Sequence, residues 1–166
     1  MEVAVVRTNK DGFNIIKNYF YIEDSIEIKD LLYSLGLLSE DGILLLMGVT
    51  DNRLIESLEE FMLSDIQFPD IGKNITFSFF KKIKEKNIAV RYNNESKNVL
   101  YEVIKDVVPN IEICSYLYFL TDKQEMILEY KVDDAIFISR DIIKSDESIR
   151  RFCKEIGVNR YCLEEF

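Results

Sequence analysis

Histidine and tryptophan are absent from the 166 residues, and cysteine, proline and glycine are scarce at 3, 2 and 6. Without histidine there can be no Ser-His-Asp triad, no Cys-His pair and no imidazole-ligated metal. Cys114, Cys153 and Cys162 are odd in number and lack paired CxxC spacing. That argues against a disulfide framework or structural zinc, and for a reducing compartment. The prolines, Pro69 and Pro109, fall where elements change, and no repeat, low-complexity tract or linker divides the chain. One domain over residues 1–166 is expected. Long apolar runs are missing as well. The longest, Ile43-Leu44-Leu45-Leu46-Met47, is far short of the ~20 residues a membrane-crossing helix needs. Glu2, Arg7, Lys10 and Asp11 interrupt any signal-peptide core, so a cytoplasmic location with no membrane partner is expected.

What is present is core material and negative charge. Hydrophobic residues make up 48% and charged residues 31%, enough for one sizeable core and too apolar for a disordered chain. The net charge is −9, which argues against a surface built to neutralise nucleic-acid phosphates. It is unevenly spread: residues 1–72 carry −9, residues 73–105 carry +5 and residues 106–166 carry −5. A basic middle flanked by acidic ends suits a soluble surface, or an acidic face for a basic partner.

Periodicity predicts an α+β domain with a mixed sheet. Val3-Ala4-Val5-Val6 is β-prone, Asn9-Lys10-Asp11-Gly12 has hairpin-turn residues, and residues 13–22 read as the return strand, although Phe13, Ile16 and Phe20 also fit a helix face. Ile28, Leu31, Leu32 and Leu35 mark a short helix, with Asp24 or Ser25 to cap it and Gly36 to stop it. Residues 43–49 do not alternate and read as a strand buried on both faces. Asp51 opens a helix whose stripe is Leu54, Ile55, Leu58, Phe61 and Met62. Residues 74–86 permit helix or strand, with a helix ending near Lys86 preferred. A strand at residues 88–92 and a helix from Val99 through Val107, stopped before Pro109, complete two αβ alternations. The last third reads as an antiparallel meander: residues 111–120, 126–132 and 135–139 are apolar runs broken by turn residues. Ser145 then caps a helix with Ile149, Phe152, Cys153 and Ile156 inward and Gly157 at its end.

Four constellations could carry chemistry. Met47-Gly48-Val49-Thr50-Asp51-Asn52-Arg53 is a strand-to-helix junction of the kind that binds anions, but the Gly48 to Arg53 stretch lacks a dinucleotide or phosphate-loop glycine pattern, and Asp51 reads as an N-cap. Asp122, Glu125, Glu129, Asp133 and Asp134 cluster around the meander turns, without EF-hand spacing. Lys81, Lys82, Lys84 and Lys86, with Phe79, Phe80, Arg91 and Tyr92, pair basic with aromatic residues as single-strand binders do, although the aromatics fit a core equally well. Finally, Glu56, Glu59 and Glu60 share the outer face of their helix, with Asp65 and Asp41 as possible additions. Like charges at this spacing repel by a few tenths of a kcal/mol per pair, so local stability does not ask for them.

In size, acidity and lack of a catalytic motif the chain resembles the immunity proteins encoded beside bacterial toxins. The resemblance covers no aligned motif and carries no residue over. It implies a small cytoplasmic inhibitor that binds a toxin, such as a nuclease, directly. The acidic face separately marks Glu56, Glu59, Glu60, Asp65 and Asp41 as the partner-binding residues expected of such an inhibitor, with neither catalysis nor nucleic-acid binding of its own. The rival expectations are a nucleotide- or small-ligand-binding domain or enzyme using the Gly48 to Arg53 junction, and an adaptor or homo-oligomer subunit whose aromatic residues, 12% of the chain, line an interface. No cofactor is expected. Elemental analysis of the purified protein should find no stoichiometric transition metal, and chelation should leave its melting temperature unchanged; a metal at one equivalent would contradict this.

Overall fold

The computed structural model describes residues 2–3, 19–22, 26–64, 66, 86–105, 113–132 and 134–158. Its strands are β1 (Glu2–Val3), β2 (Tyr19–Ile22), β3 (Gly42–Val49), β4 (Lys86–Tyr92), β5 (Tyr116–Leu120), β6 (Met126–Lys131) and β7 (Ala135–Ser139). They form one sheet in the order β1-β2-β7-β6-β5-β3-β4. The helices are α1 (Ile28–Ser34), α2 (Asn52–Ser57), α3 (Asn94–Ile104) and α4 (Asp146–Glu155).

The α+β class and the β5-β6-β7 meander follow the sequence expectation, and β1 pairs antiparallel with β2 as a hairpin requires. Residues 4–18, with the expected turn, lie outside the described residues. The expected mixed sheet is corrected, because every described pairing is antiparallel. The β4-α3-β5 alternation is nevertheless real. β4 and β5 both run antiparallel to β3 and hence parallel to each other. The crossover helix that would join two adjacent parallel strands instead spans β3, which sits between them.

β3 earns this position by composition. All eight of its residues are buried, so it must be paired on both edges and covered on both faces. Leu44 and Leu46 face the helices, sharing a core with Leu31, Leu54, Leu100 and Phe152. Leu45 belongs to the opposite face with Tyr19, Tyr118 and Phe137. None of the four described helices contributes to that second cluster. Burying one leucine contributes about 1.5–3 kcal/mol, so the central strand alone anchors both layers.

Two irregularities aim side chains. The β5–β6 register shifts between Phe119 and Leu120, and Ile127 and Leu128 both join the helix-side core, as a bulge allows. The β3–β4 register shifts between Leu46 and Val49, where Gly48 has φ +77° and donates its N–H to Asn87 Oδ1 at 3.1 Å. Beyond β4, Met62 bridges Val90 and the Leu63 N–H donates to the Ala89 carbonyl at 2.8 Å. That segment covers the sheet's outer edge, which would otherwise be open to another chain.

Helix ends depart from expectation at α1, whose expected caps Asp24 and Ser25 lie outside the described residues. α1 begins after Glu27 with no side-chain cap, and Leu35–Leu37 continue it as a 3-10 turn, so Gly36 lies inside the turn rather than stopping it. Buried hydroxyls hold this region to the sheet instead: Tyr92 donates to the Leu32 carbonyl at 2.7 Å and Tyr130 to the Ile26 carbonyl at 2.7 Å. α3 starts on a reciprocal cap in which Asn93 Oδ1 accepts from the Ser96 N–H and Ser96 Oγ from the Asn93 N–H. α4 matches its signals. Ser145 accepts from the Ser148 N–H, and at the far end Gly157, φ +77°, and Val158 donate to the Lys154 and Cys153 carbonyls, a Schellman ending.

Replacing Gly157 by Ala should cost about 1 kcal/mol, because a Cβ there meets nothing within 4 Å and only the backbone conformation resists. Gly48→Ala should cost more, since its Cβ would also stand 2.7 Å from Ser115 Oγ. Chemical denaturation of the two variants checks the order, and equal losses would contradict it.

Candidate functional site

Several exposed polar groups meet at the end of the sheet where β3 begins and β4 ends. Gly42 pairs with Tyr92, so Glu40 and Asp41 enter beside the point where Asn93 and Asn94 leave. Ile43 pairs with Leu120, which brings the β5–β6 turn to the same end; there Arg91 and Asp122 form an ion pair at 3.3 Å. The Met62–Val90 bridge returns Glu59–Phe61 to this end too.

A cleft of about 400 Å³ opens here between the end of α1 and the start of α3, within the size range of small-ligand and side-chain pockets. Glu40 and Asp41 form one side, Asn93, Asn94 and Lys97 another, with Tyr33, Gly36, Leu37 and Tyr92 around them. Tyr33 is 49% exposed, the single exposed large hydrophobic residue among those described. Its ring packs edge-on against Tyr101 at 5.0 Å, and Lys97 Nζ stands 4.9 Å from its centroid, a cation–π distance. Tyr92 is buried and its hydroxyl already donates to Leu32. Burial raises the Tyr92 pKa well above its ordinary value, so it enters the cleft as a neutral hydroxyl.

The acidic face is exposed but less regular than a single helix. α2 has six residues, and the chain breaks at Leu58, φ −100° and ψ 3°, into the 3-10 turn Glu59–Phe61. Leu54 and Leu58 remain buried while Glu56, Glu59 and Glu60 are exposed. Asp41 is exposed at the cleft, and Asp65 lies outside the described residues.

The other constellations come apart. At the Gly48 to Arg53 junction, Asp51 Oδ1 accepts from the Arg53 N–H at 2.9 Å, and Arg53 also grips its carboxylate at 3.0 Å. The Arg53 hydrogen bond holds the Asp51 carboxyl below its ordinary pKa. The helix end is thus occupied by the chain's own acid. The meander acids do not converge: Asp122 pairs with Arg91, Asp134 with Lys131 at 2.9 Å, and Glu125 is exposed. Asp133 lies outside the described residues. Glu129 is buried at 1% exposure, opposite Tyr118 and Phe137 on the neighbouring strands. Burial raises the pKa of Tyr118, whose hydroxyl has no hydrogen-bond partner among the described residues. For the basic-aromatic group, Lys86 begins β4 rather than ending a helix and Tyr92 is buried, so it cannot stack on a base. Lys81, Lys82, Lys84, Phe79 and Phe80 lie outside the described residues. No described helix is long and apolar enough to cross a membrane.

Sequence reasoning missed Tyr33, Glu40 and Lys97. The available signal was Tyr33, an aromatic residue off the Ile28, Leu31, Leu32 and Leu35 stripe. Comparison with protein-family models, curated proteins and solved structures finds no match in any of the three, so the functional reading rests on the residues themselves.

Cys114 and Cys153 are free and buried. Burial pushes the Cys153 thiol from 9.0 up to about 12 and also raises that of Cys114. Burial of the neutral thiols therefore contributes stability that is complete below pH 9 and is lost as pH rises toward 12. A thiol held buried and neutral in this way is a poor nucleophile toward a disulfide reagent. Peptide mapping after treatment with Ellman's reagent should find Cys114 and Cys153 modified only in the unfolded protein; labelling at equal rates when native would contradict their placement.

Proposed function

We propose that this chain is a small stoichiometric binding protein, an immunity- or antitoxin-like inhibitor that covers the basic site of a toxic enzyme. One observation carries the reading. Glu56, Glu59 and Glu60 are exposed beside the buried Leu54 and Leu58, and none forms an ion pair among the described residues. Three like charges within five positions, with no cation paired to them among the described residues, repel one another rather than stabilise the segment that carries them. They do contribute a field, which accelerates encounter with a basic surface and selects against acidic ones. A nucleotide site at the strand-to-helix junction has less support, because Asp51 holds the position an anion would take.

The test begins with a basic enzyme recovered on the immobilised protein, which must lose activity at one equivalent of the free protein. Replacing Glu56, Glu59 and Glu60 together by Lys should slow association at least tenfold, the scale on which steering acts. Added salt should slow the unaltered pair steeply. Folding should survive, since exposed substitutions usually shift stability by about ±0.5 kcal/mol each. An unchanged rate in a folded triple variant would make this face ordinary solvated surface.

A further inference from the structure

We propose that the cleft beside Tyr33 is a socket for one arginine side chain of a basic partner, its guanidinium held by Asp41 and Glu40 and laid against the Tyr33 ring. The proposal rests on the binding-protein reading and adds the chemistry of one contact. The first argument is charge. Glu40 and Asp41 line the cleft, and neither forms an ion pair among the described residues, whereas Asp51, Asp122, Asp134 and Asp146 each face a lysine or arginine. The second is the ring. Tyr33 is half-exposed on a helix whose other side is core, and a planar face beside paired carboxylates suits a planar fork donor better than an ammonium.

The third is Lys97. It stands over Tyr33 at 4.9 Å and makes no ion pair among the described residues, so the ring already carries a cation. Lys97 is then a placeholder that the incoming guanidinium displaces into water. This gives the proposal a sign that a merely structural role would lack: removing the lysine charge should improve binding.

The probe is the capped tripeptide acetyl-Gly-Arg-Gly-amide, titrated into the full-length protein and followed by backbone amide shifts, with lysine and citrulline versions as controls. Shifts should concentrate at Tyr33, Asp41, Asn94 and Lys97. The arginine peptide should bind about threefold tighter than the lysine peptide, and the citrulline peptide should not bind. Tyr33→Ala should weaken binding about two- to fivefold, the exposed cation–π range. Asp41→Asn should weaken it about tenfold, the scale of a lost charge-assisted bond, and Lys97→Gln should strengthen it. Unshifted amides elsewhere report that each variant is folded. Shifts spread evenly over all exposed carboxylates, equal binding of citrulline, or weaker binding by Lys97→Gln would each overturn the socket. Such a failure would leave the Glu56, Glu59 and Glu60 rate test untouched, and failure of that test would leave this titration readable.

Discussion

A strand with no solvent side constrains the rest of the molecule. β3 buries all eight residues, and its three consecutive leucines, 44, 45 and 46, each have 0% exposure. Side chains alternate across a strand, so this run loads both faces equally and neither can be left to water. The described helices pack on one side, the aromatic cluster of Tyr19, Tyr118 and Phe137 is on the other, and β4 and β5 occupy the two edges. Truncating any of the three leucines to Ala removes packing worth about 2–5 kcal/mol from a strand that joins both layers. None of its own residues is exposed, so the exposed carboxylates Glu40, Asp41, Glu56, Glu59 and Glu60 lie on the segments that flank it.

The sequence was most legible where one force acts alone. The strands β6 and β7 and the helix α4 were found nearly to the residue, because apolar runs bounded by turn residues, or a stripe between Ser145 and Gly157, have one good solution, whereas β5 begins only at Tyr116, five positions after the expected Ile111. Sheet sense was not legible. An αβ alternation is equally consistent with adjacent parallel strands and with strands separated by a third, and the choice here was made by β3 inserting between β4 and β5, a long-range pairing that local pattern does not encode. The break at Leu58 was hidden for a similar reason. Phe61 and Met62 keep helical spacing from Leu54, yet Met62 is drawn into a bridge with Val90, and the chain leaves helical geometry to reach it.

The candidate site was legible by half. The exposed carboxylates follow from their position opposite a core stripe, whereas the cleft requires α1 to be brought against the end of β4, where α3 follows, and the buried Tyr92 hydroxyl makes that link to the Leu32 carbonyl across 60 positions. Glu129 shows the opposite failure. Grouped with the turn acids by sequence, it is carried into the sheet face by the bulge at Ile127 and the register with Tyr118. A buried polar group of this kind is costly unless its neighbours satisfy it, and it belongs to the architecture rather than to the surface. The proposed binding function is placed on the exposed rim of the sheet and not in its interior.

Hydrogen exchange of the free protein against its complex with a captured basic enzyme, the proposed target, tests that proposal most directly. Protection should rise at Tyr33, Glu40, Asp41, Glu56, Glu59, Glu60 and Asn94, with β3, β5 and β6 unchanged. New protection confined to β5 and β6 around Tyr118 and Glu129, or to the Gly48 to Arg53 junction, with the rim unaffected, would contradict it.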